Sequence, residues 1–298
     1  MKLGLIGLGN MGGRIAKRLL ERGNQLHVYD VNADVLNDFE MMGAKTADSI
    51  KEVSFENEYV ITVLPNADIV KKVVLGEEGL IFGLKPNSVL IDMTSSTPEV
   101  TKEISTVLEK HGIKMLDAPI SGGVKRAEEG DLAVMVGGEE SVLSEVLPFL
   151  EDIGSKITHV GESGAGHAIK ALNNLISATT LSITLEALAV GIKYGLDPYK
   201  MLNVINNSTG KNNSSENKVA QQILSGKYEV GFSLDLMYKD LTTAIELSKR
   251  VQVPASVSSS VFQLWKYASL QGNGEIIDHT AIAKVIEQIS DVKFGTSL

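Results

Sequence analysis

Short apolar runs alternate with amphipathic stretches from Lys2 to about residue 160. KLGLIG, QLHVYD, YVITVLP, SVLIDMT, KMLDAP and AVMVGG read as strands, each closing near Gly, Pro, Asp or Thr. Between them lie helical stretches such as MGGRIAKRLLERG and TPEVTKEISTVLEKHG, the second with Pro98 at a first turn. Strand and helix in this alternation predict a mostly parallel sheet covered on both faces. Beyond residue 163 the rhythm changes. GAGHAIKALNNLISATTLSITLEALAVGIKYG runs about thirty residues without Pro and predicts one long helix ending near Gly195. Its Ala168, Ile169, Leu172, Leu175, Ile176, Ala178, Leu181 and Ile183 leave little polar face, so most of this helix is expected to be buried. Helical patterns continue to the end, interrupted by NNSTGKNNSSENK and VQVPASVSSS. No internal repeat is visible. The expected organisation is therefore an α/β domain over residues 1–162 and an all-helical domain over 163–298, joined near Gly161 to Gly166.

Composition narrows the range of partners. With 298 residues the chain can bury two cores, and 43% hydrophobic with 22% charged residues is ordinary for a globular protein. A net charge of -9 argues against nucleic acid and anionic membranes, which reward clustered Lys and Arg. No uninterrupted apolar run reaches the roughly 18 residues of a bilayer span, and because the strand pattern starts at Lys2 no export signal is expected. Cys is absent, which excludes disulfides and a thiol nucleophile and fits a cytoplasmic protein. The five histidines show no metal-ligand spacing, so no metal is expected.

The chemistry starts at GLIGLGNMGG, where Gly7, Gly9 and Gly12 stand in G-x-G-x-x-G order around Leu8, Asn10 and Met11. They fall on a turn from strand to helix. Such a turn lets backbone approach a pyrophosphate, and the helix N-terminus offers it free N–H groups. A glycine turn that merely packs a helix on a strand would look the same. The second strand, however, ends in Asp30, about twenty residues on, where a carboxylate accepts hydrogen bonds from a ribose diol. The same carboxylate repels a 2′-phosphate. No Lys or Arg occurs between Asp30 and Lys45, whereas Asp34, Asp38 and Glu40 do, so NAD is expected rather than NADP. Further strand ends, Leu64-Pro65-Asn66 and Asp92 to Ser96 with Ser95, would line the same carboxyl edge.

The long helix carries a second signal. Lys170 and Asn174, four apart, project from one side of an otherwise apolar helix. A buried unpaired cation costs several kcal/mol or loses its proton. Lys170 is therefore a candidate site residue, against the plainer alternative of a lysine snorkelling to the surface near a helix start.

Together these motifs resemble the β-hydroxyacid dehydrogenase family, which includes 3-hydroxyisobutyrate dehydrogenase and tartronate semialdehyde reductase. GLIGLGNMG resembles its cofactor signature and DAPISGG, Asp117 to Gly123, its substrate segment. GESGAGHAIKALNN resembles its G-x-x-G-x-G-x-x-x-K-x-x-x-N arrangement, and Lys239-Asp240-Leu241 its late lysine segment. One departure is Arg18, where the first helix often has Asn. The resemblance covers essentially the whole chain. It implies an N-terminal Rossmann-type dinucleotide-binding domain and an all-α C-terminal domain joined by a long interdomain helix. It also implies hydride transfer between NAD(H) and a small anionic 3-hydroxy acid or semialdehyde. Lys170 would be the general acid/base, donating to a developing alkoxide or, as a neutral amine with depressed pKa, taking the hydroxyl proton. Ser121, Gly122 and Gly123 would bind the substrate carboxylate, Asn174 its hydroxyl, and Lys239 would add charge where substrate meets cofactor. Lys211 and Asn212 either read the group distal to the carboxylate or belong to a surface loop, and His167 is expected to be structural. A long apolar helix left bare on both sides would not be stable, so a homodimer or homotetramer through it is expected. Alternatives are an NADPH-dependent reductase of succinic, glyoxylic or tartronate semialdehyde, an imine reductase, which typically lacks the lysine, and a non-catalytic NAD-binding module.

Overall fold

The computed structural model describes residues 1–272 and 277–295. They form two compact units, Met1–Lys170 and Ala171–Leu298.

The first unit is an α/β layer structure. In chain order its elements are β1 (Lys2–Ile6), α1 (Gly12–Glu21), β2 (Gln25–Tyr29), α2 (Ala33–Met41), β3 (Lys45–Thr46), α3 (Ile50–Glu56), β4 (Tyr59–Thr62), α4 (Ala67–Leu75), β5 (Val89–Asp92), α5 (Pro98–Glu109), β6 (Lys114–Asp117), β7 (Ile120–Ser121), α6 (Gly123–Glu129), β8 (Ala133–Gly137), α7 (Glu140–Ile153) and β9 (Lys156–Gly161). The strands lie in the order β3-β2-β1-β4-β5-β6-β8-β7, with β9 beside β8. Pairing is parallel from β3 to β6; β8 runs antiparallel to β6 and β7 and parallel to β9.

All six apolar runs are strands. Their near-continuous hydrophobicity follows from burial on both faces, because successive side chains point to opposite sides. Leu5, Ile61, Ile91 and Leu116 join the core under α1 and α7, while Ile6, Val60, Leu90 and Met115 join the core under α3, α4 and α5. Three strands lacked this signature. β3 and β7 are two residues each, and β9 (KITHVG) is exposed or half-exposed throughout. Caps fix the helix starts: Asn66 accepts from the Ile69 N–H and Thr97 from the Val100 N–H. Arg18 Nε donates to the Asp152 carbonyl at 3.1 Å, tying α1 to the end of α7.

The long helix, α8 (Ala165–Lys193), runs from the first unit into the second without interruption. It stops as expected near Gly195, which takes φ +95° and closes the end by the Leu196 N–H to Gly191 carbonyl bond. The second unit adds α9 (Pro198–Asn206), α10 (Asn213–Asn217), a π-helical turn (Val219–Leu224), α11 (Leu234–Arg250), α12 (Ser256–Gln271), a 3-10 turn (His279–Ala281) and α13 (Ile282–Ser290). Its core gathers Ala178, Leu181, Leu185 and Leu188 of α8 around Trp265, whose indole N–H donates to Ser182 Oγ at 3.0 Å.

The expectation that most of α8 is buried does not hold. By length and composition this helix is apolar enough to cross a membrane, yet a helical core covers only one stripe of it. On the other side Ile176, Ile183 and Val190, seven residues apart, are 64%, 56% and 71% exposed.

His279 is a deeply buried ionisable side chain of the helical unit. Its ring lies edge-on to Phe232, Nδ1 meets the Phe232 carbonyl at 3.1 Å, and Nε2 has no partner among the described residues. Burial, reinforced by the Lys218 charge, lowers its pKa from 6.5 to about 4. A histidine depressed in the folded state protonates first in the unfolded chain. Its contribution is therefore complete above pH 6.5 and is lost as pH falls towards 4, on the order of 3 kcal/mol. Urea unfolding followed between pH 7 and 4 should show this loss, and His279→Gln should flatten the slope.

Candidate active site

Two glycines of the first turn are demanded by packing and the third leaves room. Gly7 has φ +97°, and a Cβ there would lie 2.3 Å from the Val63 carbonyl oxygen; one on Gly12 would lie 1.9 Å from that of Gly7. A Cβ on Gly9 would meet nothing within 4 Å. Met11, at the start of α1, supplies no side-chain cap, and although the Gly13 N–H donates to the Gly9 carbonyl, the helix start keeps its positive end for an anion. Asn10 is held by Arg14, whose Nη1 donates to its carbonyl and side-chain oxygens at 2.7 and 3.0 Å. Asp30 does more than end a strand. Its Oδ2 accepts from the Leu8 N–H at 2.6 Å and its Oδ1 from the Asn32 N–H at 2.9 Å. A carboxylate has about four acceptor positions, so it can hold the glycine loop and still receive a diol. Next to it, Val31 is 92% exposed. A loop with an open glycine, an uncapped helix and an acid at the second strand end fits a dinucleotide.

The strand ends form a level row. Ile6 pairs with Thr62, Thr62 with Asp92, and Asp92 with Asp117. Behind this edge Asp92 Oδ1 accepts from Thr62 Oγ1 at 2.9 Å and from the Thr94 N–H at 3.1 Å. Thr94 Oγ1 in turn accepts from the Leu64 N–H at 3.0 Å. The Leu64-Pro65 turn and the segment holding Ser95 are thus cross-tied beside the glycine loop.

The next strand end carries the start of α8. Asp117, fully buried, accepts from the Gly164 N–H at 2.8 Å and the His167 N–H at 2.9 Å. Burial pushes its pKa up, while His167 and these N–H groups pull it down. The His167 ring bridges Thr101 Oγ1 at 2.6 Å and the Thr94 carbonyl at 2.8 Å; the second contact requires the proton on Nε2. One turn after Gly166, Lys170 points back to the sheet and its ammonium donates to the Ile120 carbonyl at 2.8 Å. Ser121 follows immediately, then Gly122 at φ +143° and Gly123 at φ +71°. The first unit therefore brings Lys170 against the Ser121-Gly122-Gly123 turn.

The remaining expected residues lie in the second unit. Asn174, one turn beyond Lys170 on α8, donates through Nδ2 to Asp240 Oδ2 at 2.5 Å. Lys239 Nζ stands 3.7 Å from Asp240 Oδ1. Lys211 is spent on an exposed ion pair with Glu216 at 2.7 Å. Asn212 caps α10 with a reciprocal capping box and donates to Thr184 Oγ1 at 3.1 Å. Asp117, Thr94 and Asp240 were not singled out from the sequence. Asp117 and Asp240 sit inside the quoted motifs, and nothing in a linear pattern distinguishes an acid that holds its neighbours.

Residues 2–161 match the family model described as the NAD binding domain of 6-phosphogluconate dehydrogenase, and residues 164–286 that described as NAD-binding of NADP-dependent 3-hydroxyisobutyrate dehydrogenase. The chain is 37% identical over 292 residues to 2-(hydroxymethyl)glutarate dehydrogenase of Eubacterium barkeri, covering 98% of this chain and 97% of that protein. The chain belongs to the β-hydroxyacid dehydrogenase family. Another member, the mitochondrial 3-hydroxyisobutyrate dehydrogenase of Mus musculus, is 36% identical over 276 residues, 91% of this chain and 82% of that one. Among solved structures of the family, 3-hydroxyisobutyrate dehydrogenase of Mycobacterium tuberculosis with L-serine superposes with a TM-score of 0.87 at 29% identity, over 96% of this chain and 98% of that one. In this family member the Rossmann-like unit, the helical unit and the linking helix are all present, and NAD(P)-binding domains are among them.

Removing the anchor of α8 should be costly. Asp117→Ala leaves two buried N–H groups without an acceptor, about 1–3 kcal/mol each. Chemical denaturation should show a loss of that order, and Asp117→Asn, which keeps one acceptor oxygen, should recover part of it.

Proposed function

We propose that this protein is an NAD-dependent dehydrogenase of a small 3-hydroxy acid, interconverting it with its semialdehyde, with Lys170 as general acid/base. The observation that carries this reading is the Lys170 ammonium, held by the Ile120 carbonyl beside the Ser121-Gly122-Gly123 turn. Curated relatives that span nearly the whole chain are dehydrogenases of 3-hydroxyisobutyrate and 2-(hydroxymethyl)glutarate, both 3-hydroxy acids.

When bound, the nicotinamide supplies or accepts the hydride. The Gly7–Gly12 loop, the α1 N-terminus and Asp30 would hold the dinucleotide, with Leu64, Pro65 and Ser95 along the strand ends. The Ser121 hydroxyl and the N–H groups of Gly122 and Gly123 would receive the substrate carboxylate. Lys170 gives a proton to the carbonyl oxygen as it becomes an alkoxide, or takes the hydroxyl proton in the oxidative direction. Ile120, as a neutral acceptor, orients the amine without competing for its charge. Asn174, fixed by Asp240, would hold the substrate hydroxyl, and Lys239 would add positive charge for the anion.

Asp30 and the uncharged Val31 favour NAD over NADP, because a 2′-phosphate would meet a carboxylate and no cation. The stripe Ile176, Ile183 and Val190 supports a homodimer, or a higher oligomer, through α8. Its seven-residue spacing keeps the three side chains on one line that a second copy can cover.

Three outcomes test this reading. Lys170→Ala should bind NAD within about twofold of the parent while turnover falls roughly 10²–10⁴-fold; full activity would refute the assignment. Val31→Arg, at an exposed position beside Asp30, should raise kcat/KM with NADP about tenfold relative to NAD, read from nicotinamide absorbance. Ile176→Glu with Ile183→Glu should lower the sedimenting mass to that of one chain.

A further inference from the structure

The segment NNSTGKNNSSENK ends in a second lysine, Lys218, which has no carboxylate partner among the described residues. Lys218 closes the segment at the break where α10 gives way to the π-helical turn Val219–Leu224. Isolated π turns cost backbone geometry and recur at functional sites. The side chain is half-buried, and its ammonium donates to Ser177 Oγ at 3.0 Å. Among the described residues no carboxylate comes within 4 Å of it, unlike Lys211 with Glu216 or Lys193 with Asp291. Asp278 acts on it only from a distance, and that carboxylate is occupied with the Gly231 N–H, the Thr280 N–H and Thr280 Oγ1 at 2.9, 2.9 and 2.6 Å. Burial holds the Lys218 pKa below its usual value, as expected of a desolvated cation lacking a counter-ion. Ser177 has a hydroxyl proton with no acceptor among the described residues.

Position matters as much as charge. Ser177 follows Asn174 by three residues on α8, so the two share a face about 4.5 Å apart along the axis. An extended arm of three or four carbons, with C–C bonds of about 1.5 Å, spans that rise.

We propose that Lys218 and Ser177 form a subsite for a second carboxylate, carried on the arm of the hydroxy acid beyond the hydroxyl that Asn174 holds, so that the protein prefers dicarboxylic over monocarboxylic 3-hydroxy acids. The inference rests on the reading of Asn174 given above. The ammonium supplies the charge, the serine hydroxyl a second donor, and the surrounding burial makes both stronger than they would be in water. A monocarboxylic substrate leaves the lysine as it stands now, desolvated and uncompensated.

The test compares kcat/KM for 2-(hydroxymethyl)glutarate and 3-hydroxyisobutyrate in the parent protein, Lys218→Met, Lys218→Arg and Ser177→Ala. The parent should prefer the dicarboxylate. Lys218→Met should lower that preference roughly 10- to 100-fold, chiefly through KM, the loss expected for a charged hydrogen bond. Lys218→Arg should retain most of the preference, and Ser177→Ala should lose a smaller part. A parent without the preference, or variants that change both substrates equally, would overturn the subsite. Calorimetric binding of glutarate against butyrate gives a readout independent of turnover. If neither hydroxy acid is oxidised but glutarate binds more tightly than butyrate in a Lys218-dependent way, the activity reading fails and the subsite stands.

Discussion

Two backbone N–H groups converge on one buried carboxylate, and the site depends on that contact. Asp117 ends β6, and its oxygens receive the Gly164 and His167 N–H groups at the start of α8. A strand end and a helix start are thereby locked together inside the first unit. The lock is reinforced by His167, which reaches the backbone of Thr94 and the side chain of Thr101. Because α-helix geometry is stiff, fixing Gly164 to His167 also fixes the direction of Lys170 one turn later. Its amine reaches Ile120, the first residue of β7, three residues beyond the end of β6. Burial alone would favour protonated Asp117; the N–H donors keep the group useful as an acceptor.

A similar economy governs the nucleotide edge. The level ends of β1, β4, β5 and β6 put Thr62, Asp92 and Asp117 side by side. Hydrogen bonds between neighbouring loops then run along that row through Thr94 to Leu64. The loops at this candidate cofactor edge are thus held by strand register and by these hydrogen bonds.

How much of this was legible depends on the kind of signal. The sheet was, because strands buried on both faces must be apolar throughout, and six runs announced themselves. β3 and β7 were too short to show a period, and β9 too exposed to show an apolar run. The extent of α8 was readable from the lack of breakers and from Gly195. Its burial was not, because residues such as Ile176 and Ile183 look the same in sequence whether a core or open solvent faces them. At the site, Gly7, Gly9, Gly12, Asp30 and Lys170 stood out through spacing and through residue types out of place. Asp117 and Asp240 act by holding other groups, and holding leaves no periodic trace. The polar segment 206–218 stayed open for a related reason: Lys211 and Lys218 are equally basic on paper, and only the fold shows that one has a glutamate and the other a serine.

Asp30 would join two duties in one side chain, since the oxygen that steadies Leu8 belongs to the carboxylate proposed to receive a ribose. A chain drifting away from an acid here would loosen its phosphate loop at the same moment that it altered its appetite for one nucleotide over another. A change of coenzyme choice would therefore be made more cheaply at a neighbouring position such as the exposed Val31 than at the acid itself.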